Sequence, residues 1–584
     1  MTAINGRFFA ADGLGALKQI GDFAGWRRTW DKIVALPHGP FSELLFYDRV
    51  KGEAKIFSTD GNGNISLRKA YTGWRKSWDQ IVPGDFGGGP SSDLFFYDRS
   101  KGEAKFYTTD SDGNITLLKE HTGVRRTWDI IVPGNFGGDE HTDLLFYDRR
   151  AGDGKIYATN GQGDLTLLKH HTGWKKTWNI IVPGNFGGGG QTDLLFYRRV
   201  IGDAKFFTTD GAGNLNLLKA HAGWHKQWDL ILPGNFSLGS FTDLVFYDRV
   251  AGLGRFASTD GQGGVSEISK HNWRTSWSHI VAGELGGQIG LTDLLFYENQ
   301  LRLKLHAVAC ANSDGTRAVQ MTAPQAKMWV DRANAVYAAS GVFLDFDPAA
   351  DWELLKDTVI NSVGKGDEAG KQAASDYAAA FPGKVVVFFR WGPGTSTDPK
   401  TRTGGGFSAG AGNFVAMPDF SATKTDMYYQ DGTKQANVQN IKLFAHELAH
   451  YLGCPHPFVS VQYYDDSGQP LFADPNDAVV AYLKEDGGIS LDALDNDQAY
   501  VRDTAPDVGK DFFLLKSQNP ADLSLEVTVS SAADGIELTF NPDRHTVSSY
   551  FNCDDYYRVT PDQVRRIREH LMADHRKALI AGQV

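Results

Sequence analysis

The stretch Leu45-Phe46-Tyr47-Asp48-Arg49 decides the architecture of the first half of the chain, because it returns at a fixed interval. Its tyrosine recurs at positions 47, 97, 147, 197, 247 and 297, a spacing of 50 residues each time. Three further runs recur between these copies: K-F-F-T-T-D-G (205–211), N-L-N-L-L-K (214–219) and W-N-I-I-V-P-G-N-F (178–186). Each unit therefore contains four short β-runs separated by turns rich in Gly, Asp and Asn.

Four strands per unit, repeated at this length, predict a β-propeller rather than a helical solenoid. If each repeat unit is counted from L-F-Y-D-R, the first β-run of the chain, Arg7-Phe8-Phe9, matches the second strand of a unit. The last repeat, at residues 293–297, matches the first strand. These two partial units together make one blade. The sequence therefore predicts an all-β, six-bladed propeller over residues 1–299, closed by joining its two ends, and a second domain over residues 300–584.

The Gly-rich turns of the repeat resemble the loops of FG-GAP (VCBS) propeller repeats, of which N-F-G-G-D-E-H-T-D (135–143) is an example. In that family Asp and Asn at alternate positions bind calcium, so the resemblance implies Ca²⁺ as a possible ligand. Here the last Asp is retained, as in Asp143, Asp193 and Asp243, but the middle acidic positions are mostly Gly. A hard cation needs several oxygen ligands, so calcium fits these loops poorly.

A pair of tryptophans in the pattern W-x-x-x-W also recurs in the repeat. One interpretation is a ring of aromatic sites for sugars, because flat apolar faces stack on pyranose rings. The other, which we favour, is packing between blades, since a propeller core needs large aromatic side chains. The pairs are Trp26/Trp30, Trp74/Trp78, Trp174/Trp178, Trp224/Trp228 and Trp273/Trp277, with Val124/Trp128 in the remaining unit.

The second half of the chain contains A-H-E-L-A-H-Y-L-G-C-P-H at residues 445–456, which combines H-E-x-x-H with x-x-G-x-x-H. His446 and His450 are four residues apart, so on a helix they share a face and can bind one zinc ion. Glu447 then lies beside the metal, where it can accept a proton from water. Gly453 permits a backbone reversal that returns His456 as a third ligand, and three protein ligands with an open fourth position are typical of catalytic zinc. The alternative is an amphipathic core helix with hydrogen-bonded histidines.

This pattern resembles that of the metzincin clan of zinc endopeptidases. The elements predicted around it have the order of a metzincin N-terminal subdomain, which implies an α+β protease domain after the propeller. We expect a cap at Asn440 for the motif helix. The predicted elements are a helix over 325–340, a strand over 342–346, a helix over 368–380, a strand over 384–390 and an edge strand over 413–417.

In metzincins the edge strand before the active-site helix binds extended peptide substrate by strand addition. The resemblance therefore implies substrate contacts at Phe414, Val415, Ala416 and Met417.

The clan also has a Met-turn beneath the metal, which resembles residues 546–551 with Ser548 at the position of the methionine. The turn is followed by a predicted helix from Pro561, with Thr560 and Gln563 as a capping pair. Tyr550 matches a tyrosine that stabilises the oxyanion in some members, so the resemblance implies that role here. A core tyrosine is the alternative.

Two further features follow from the resemblance. Residues 501–507 resemble the D-T-P segment of pappalysin-like metzincins, and four nearby carboxylates offer either a second calcium site or a solvated acidic loop; they are Asp495, Asp497, Asp503 and Asp507. If the Met-turn packs under the metal, Cys454 and Cys553 would lie close enough for a disulfide. With Cys310 as the remaining cysteine, the chain is no disulfide scaffold.

Composition excludes several classes of function. A net charge of −11 and a pI near 5.8 argue against nucleic acid as the main partner. The sequence contains no run of about 18 apolar residues, so we expect no membrane span. The first residues lack a basic region followed by an apolar one, so we expect no secretory signal. Export by another route, release by lysis or a cytoplasmic location all remain open.

Two hypotheses of different class follow. The first is a zinc-dependent metalloendopeptidase acting on protein or peptide, with a propeller that targets it to a protein, glycan or glycoprotein. The second is a lectin-like binding protein with an inactive metzincin domain. Ser548 favours the second, whereas the complete ligand set and Glu447 favour the first. A propeller that only scaffolds the second domain is a further possibility.

Overall fold

A computed structural model divides the chain into two compact units, Met1–Gln300 and Leu301–Val584. The residues that it describes are 4–89, 91–149, 151–175, 177–199, 202–249, 251–337, 340–393, 406–408, 412–419, 427–428, 434–435, 438–454, 477, 484–485, 488–489, 514–518, 525–531, 536–540, 559, 561–573 and 575–580. No helix among these residues is long and apolar enough to cross a membrane.

Unit 1 consists of six four-stranded antiparallel sheets, described here from the centre of the ring outward. The innermost strands are β3 (Lys32–Leu36), β7 (Gln80–Gly84), β11 (Ile130–Gly134), β15 (Ile180–Gly184), β19 (Leu230–Gly234) and β23 (His279–Gly283). The second strands are β4 (Glu43–Asp48), β8 (Asp93–Asp98), β12 (Asp143–Asp148), β16 (Asp193–Arg198), β20 (Asp243–Asp248) and β24 (Asp293–Tyr297). The third strands are β5 (Glu53–Thr59), β9 (Glu103–Thr109), β13 (Asp153–Ala158), β17 (Asp203–Thr209), β21 (Leu253–Thr259) and β1 (Ile4–Ala11). The outermost strands are β6 (Ile65–Tyr71), β10 (Ile115–Thr122), β14 (Thr166–His171), β18 (Leu215–His221), β22 (Val265–Asn272) and β2 (Leu17–Ala24).

The six-bladed propeller predicted from the repeat is confirmed, including the way in which it closes. Neighbouring blades meet at their innermost strands all round the ring, from β3 to β23 and back to β3. The closing blade has the strand order β2-β1-β24-β23, so it joins the first two strands of the unit to the last two. Phe8 pairs with Leu295 and Arg7 with Phe296 across this junction.

The L-F-Y segment forms the second strand of each blade, where every residue is buried. Such a strand shows no alternation of apolar and polar residues because both faces of the sheet pack against neighbouring blades. Phe146 is 2% exposed, and Tyr147 is fully buried with its hydroxyl donating to the Lys175 carbonyl oxygen at 2.6 Å. Among the described side chains of the unit 1 strands, only those of the outermost strands are exposed.

The retained Asp of the FG-GAP-like loop holds its own turn together. One Asp143 oxygen accepts the backbone N–H of Phe136 at 2.8 Å and that of Gly137, and the other accepts the Thr159 N–H at 3.0 Å. Backbone donors therefore occupy the carboxylate that would be a calcium ligand in the FG-GAP family, and Ca²⁺ binding by this loop stays a prediction.

Unit 2 contains a sheet that is parallel except for one edge strand, with the order β26-β25-β28-β30-β29 and β27 paired to the end of β25. Its strands are β25 (Leu301–Ala311), β26 (Val342–Asp345), β27 (Trp352–Lys356), β28 (Lys384–Arg390), β29 (Phe407–Ser408) and β30 (Phe414–Pro418). Its helices are α1 (Ala323–Tyr337), α2 (Thr358–Ser362), α3 (Glu368–Ala379), α4 (Val438–Tyr451) and α5 (Pro561–Met572), followed by a 3₁₀ turn at Lys577–Ile580. Smaller sheets are formed by Met427–Tyr428 with Lys434–Gln435, by Lys484–Glu485 with Gly488–Ile489, and by Leu514–Gln518, Leu525–Ser531 and Ile536–Phe540.

Helices cover both faces of the sheet. Trp329 of α1, Leu448 of α4 and Ile567 of α5 belong to the core on one face. Ile360 of α2 and Ala374 of α3 belong to the core on the other. The motif helix therefore lies in the same layer as the first and last long helices of the unit.

The sequence analysis missed one strand of this unit and misjudged one helix start. Strand β25 was not predicted, although Leu301, Leu303 and Leu305 alternate with polar residues in its first half. Helix α4 begins at Val438, so Asn440 lies within its first turn and is not a cap.

Candidate metal centre

Helix α4 presents the motif from a buried position. Phe444, Ala445, Leu448 and Leu452 are at most 1% exposed and pack into the core beneath the sheet. The hydroxyl of Tyr337 on α1 donates to the Ala445 carbonyl oxygen at 2.5 Å, which ties the two helices together. The spacing of these apolar residues fixes which face of α4 is inward and leaves the polar residues of the motif on the remaining face.

The first two predicted ligands converge on one point. The Nε2 atoms of His446 and His450 lie 3.1 Å apart, with their rings nearly perpendicular at 84°. Two nitrogens that each lie about 2.0–2.1 Å from a tetrahedral zinc ion are about 3.3–3.4 Å apart. The observed separation is close to that value, so the pair fits a zinc ion without a change of helix register.

The tautomer of His450 follows from its second nitrogen. Nδ1 lies 2.7 Å from the Cys454 carbonyl oxygen. Because a carbonyl oxygen only accepts, Nδ1 carries the hydrogen and the lone pair is on Nε2, the atom that faces His446. Burial also lowers the pKa of His450, which favours the neutral ring that a metal requires.

Gly453 reverses the chain immediately after the helix. Its φ is +86°, a conformation that side chains other than hydrogen disfavour. A Cβ at this position would lie 2.6 Å from Cγ of His570, so the turn has neither the backbone conformation nor the space for another residue. The predicted third ligand, His456, follows this turn and lies outside the described residues.

Glu447 is 7% exposed and faces the edge of the sheet. A Cβ on Gly406 would lie 2.6 Å from its Cγ, and the Ser408 backbone hydrogen-bonds to its carboxylate. Burial raises the pKa of Glu447 to about 7, opposed by the charges of Lys365 and Arg390. Burial therefore makes this carboxyl easier to protonate than that of an exposed glutamate.

The expected edge strand is not at the edge. Phe414 to Met417 form most of β30, which pairs with β28 on one side and with β29 on the other. The side chains of Phe414, Val415, Ala416 and Met417 are at most 1% exposed, so they belong to the two cores and cannot line a cleft. Among the described strands, β29 forms the edge of the sheet next to β30. It is only two residues long, which is too short for a sequence pattern to predict.

Two arginines of the C-terminal segment hold the end of α4 and the turn at Gly453, and sequence reasoning missed them. Arg566 Nε donates to the Gly453 carbonyl oxygen at 3.1 Å. Arg576 Nη2 donates to the carbonyl oxygens of Tyr451 and Gly412 at 3.2 and 2.6 Å, and its guanidinium stacks 3.8 Å from the Tyr451 ring. Cations at a helix C-terminus satisfy its orphan carbonyls and interact favourably with its dipole.

The remaining predicted site residues cannot be placed. Tyr550, Ser548 and Cys553 lie outside the described residues, as do Asp495, Asp497, Asp503 and Asp507. Cys454 is buried, and its thiol lies 3.7 Å from the Gln563 carbonyl oxygen. The disulfide between Cys454 and Cys553 and the second calcium site therefore stay predictions. Within the described part of the chain, no group of three or more His, Cys, Asp or Glu side chains is placed to hold a metal.

The tryptophan pairs of unit 1 pack between blades. The second member of each pair is at most 5% exposed, as for Trp178 at 4%. The first member is half-buried: the Trp174 ring lies 5.1 Å from that of His171 and covers the backbone of Gly154. The second tryptophans expose no ring face on which a sugar could stack, so packing accounts for their recurrence.

Comparisons with known proteins place the chain in no family. No family model and no curated protein matches it. Similar solved structures include a periplasmic gluconolactonase from Pseudomonas aeruginosa, with 13% identity and a TM-score of 0.34 over 47% of this chain and 79% of that one. A putative 6-phosphogluconolactonase from Bacteroides fragilis is 11% identical, with a TM-score of 0.32 over 46% and 78%. Similarities this weak carry no argument about activity.

Proposed function

We propose that unit 2 is a zinc-dependent metalloendopeptidase of metzincin type. The observation that carries the proposal is the convergence of His446 and His450, whose Nε2 atoms lie 3.1 Å apart on the helix that also carries the buried Glu447. A hydrogen bond between the two rings, the alternative of hydrogen-bonded core histidines, would give the same 3.1 Å distance, so the metal content of the protein decides between them. The order of helices and strands predicted around the motif supports the same assignment.

The residues that would hold the metal are His446, His450 and His456. Bound zinc would supply Lewis acidity, which lowers the pKa of water and polarises the scissile carbonyl. The hydrogen bond from His450 Nδ1 to the Cys454 carbonyl oxygen keeps Nε2 available and orients the ring, as partners of ligating histidines do in known metal sites.

Glu447 is the general base in the proposed reaction. Its carboxylate accepts a proton from the water whose oxygen attacks the scissile carbonyl, and it then donates that proton to the leaving amine. The bond that forms is carbon to oxygen and the bond that breaks is carbon to nitrogen, so the carboxylate ends as it began. Tyr550 is the proposed donor to the oxyanion.

Peptide substrate would bind along β29, at Phe407 and Ser408. This strand runs antiparallel to β30 at the edge of the sheet, and Ser408 is hydrogen-bonded to Glu447. An extended peptide added to this edge would place its backbone beside the catalytic carboxylate, the mode of recognition known as β-strand addition. The buried residues of β30 support this edge from behind.

The test combines metal content with cleavage. The full-length protein is expected to contain one zinc per chain and to degrade a denatured, unstructured protein substrate until a chelator is added. Glu447→Gln should retain the zinc and lose activity by about 100- to 10,000-fold, the usual contribution of a general base. The matched control is Glu368→Gln, since Glu368 is exposed on α3.

Each outcome separates the hypotheses. Failure to bind zinc would refute the proposal as a whole. Zinc bound without cleavage, in wild type as in Glu447→Gln, would favour the binding protein with an inactive metzincin domain. Equal cleavage by wild type and Glu447→Gln would remove Glu447 from the mechanism.

A further inference from the structure

The antiparallel topology of the blades sorts the loops of unit 1 onto two opposite faces. We call upper the face that carries the loops after the second strands and the loops between blades. Its two kinds of loop bond to each other, as when Trp174 N–H donates to the Gly152 carbonyl oxygen at 2.8 Å. The upper loops are 49–52, 99–102, 149–152, 199–202 and 249–252, with 25–31, 72–79, 123–129, 172–179, 222–229 and 273–278.

The lower face carries the loops after the innermost strands and those after the third strands. Here too neighbouring blades are bonded, as when Asn135 N–H donates to Oγ1 of Thr192 at 2.8 Å. The lower loops are 37–42, 85–92, 135–142, 185–192, 235–242 and 284–292, with 12–16, 60–64, 110–114, 159–165, 210–214 and 260–264.

The upper face exposes positive charge. Among the described residues of its loops, every Asp and Glu is at least partly buried, whereas several Lys and Arg are exposed. The acidic groups at the strand ends are neutralised internally: Arg125 lies 3.0 Å from Asp148 and 2.9 Å from Asp153 while it stacks on Trp128. The exposed cations are Lys51, Lys76, Lys101, Arg126, Lys175, Lys226 and Arg274.

The lower face exposes negative charge. Its loops contain no Lys or Arg at all, and their exposed carboxylates occur in most of the blades. These carboxylates are Asp12, Asp60, Asp110, Asp112, Asp139, Glu140, Asp210 and Asp260. Residues 1–300 contain as many Lys and Arg as Asp and Glu, so the net charge of the propeller conceals a separation of charge between its two ends.

We infer that the upper face docks on an anionic lipid bilayer. The cations are spread over the loops of several blades, a distribution that suits a flat anionic partner better than a ligand that enters one groove. Five of the seven are lysines, which act as flexible point charges and do not impose the planar geometry of an arginine fork. The acidic lower face is repelled by the same surface, which selects the orientation. Basic residues near anionic lipids attract them additively within a Debye length.

The test is sedimentation of the full-length protein with vesicles of phosphatidylcholine containing about a third phosphatidylserine, compared with pure phosphatidylcholine. We expect binding only to the anionic vesicles in 0.1 M NaCl and its loss in 1 M NaCl, where the Debye length falls from about 10 to about 3 Å. The triple variant Lys76→Gln, Lys101→Gln and Lys226→Gln should bind about 100-fold more weakly, at about fivefold per charge.

A matched variant controls for net charge. Lys18, Lys169 and Lys219 are exposed on the outermost strands β2, β14 and β18, and the triple change of these to Gln should weaken binding less than threefold. An equal loss of vesicle binding in the two triple variants would refute the upper face as the docking surface. So would equal binding to neutral vesicles, or no binding to anionic ones. Tighter binding to heparin or to DNA than to anionic vesicles would overturn the assignment to lipid.

Discussion

Gly453→Ala offers the sharpest test of how the motif turn is built. The residue has a φ of +86°, and an L-residue in that region costs about 1–2 kcal/mol. The new Cβ would also lie 2.6, 2.8 and 2.9 Å from Cγ, Nδ1 and Cβ of His570. Such overpacking costs about 1–3 kcal/mol, so we expect a total destabilisation of unit 2 of about 2–5 kcal/mol.

Two further variants separate these contributions. Gly315 has a φ of +83°, but its nearest neighbour, Nζ of Lys356, would lie 3.7 Å from a new Cβ. Gly315→Ala should therefore show the backbone cost alone. The double variant Gly453→Ala with His570→Ala removes the clash and should recover about 1–3 kcal/mol relative to the sum of the single variants, because residues in direct contact are coupled.

Hydrogen-exchange mass spectrometry in increasing urea would measure these free energies. Peptides from β25 and α4 report on unit 2, and peptides from β12 report on the propeller, whose stability should not change. Gly453→Ala with unchanged protection of α4 would refute the geometry of the turn. Gly453→Ala that destabilises equally with and without His570→Ala would refute the contact.

Three other outcomes are expected. Arg576→Ala, which removes a buried guanidinium from two carbonyl oxygens and from the Tyr451 ring, should destabilise α4 by about 2–4 kcal/mol; a change below about 0.5 kcal/mol in the same exchange experiment would show that the arginine holds nothing. Burial lowers the pKa of His570 to about 4 from 6.5, so the folded state binds fewer protons than the unfolded chain between these values. The free energy of unfolding should therefore be independent of this ring above pH 6.5 and decrease as the pH falls toward 4, by about 1 kcal/mol for this half-buried ring. His570→Gln should flatten that part of the stability–pH curve, and an unchanged slope would contradict the assignment. Trp178→Ala should destabilise the propeller by about 3–5 kcal/mol and Trp174→Val by about half as much, measured by thermal unfolding; an equal cost would contradict their difference in burial.

The propeller was predictable because its signal is repeated. Each blade contributes the same four β-runs, and the partial units at the two ends supply the strands that close the ring. A strand whose pattern is ambiguous in one repeat can be recognised from the corresponding residues of the other repeats. In unit 2 each element occurs once, and β25 was missed because its second half, from Ala307 to Ala311, is buried on both faces and shows no alternation.

The candidate site was predictable only in part. The spacing of His446 and His450 places them on one face of a helix whatever surrounds it, since that is a property of the helix itself. The edge strand was misplaced because the pairing of Phe407 with Ala416 joins two short segments. Arg566 and Arg576 were missed because they reach the turn at Gly453 from more than a hundred residues further along the chain.

The sequence alone determined the six blades, their closure and the convergence of His446 and His450, because these depend on periodicities of 50 residues, of the β-strand and of the α-helix. Only the tertiary structure decided which strand forms the edge beside Glu447 and what holds the turn at Gly453. The tertiary structure also decided that the exposed basic and acidic residues of the propeller lie on opposite faces. Lys76 and Asp60 are near neighbours along the chain, but strand β6 runs between them, so Lys76 lies on the upper face and Asp60 on the lower. A net charge is a sum over residues, whereas the field at a surface depends on where each charge lies.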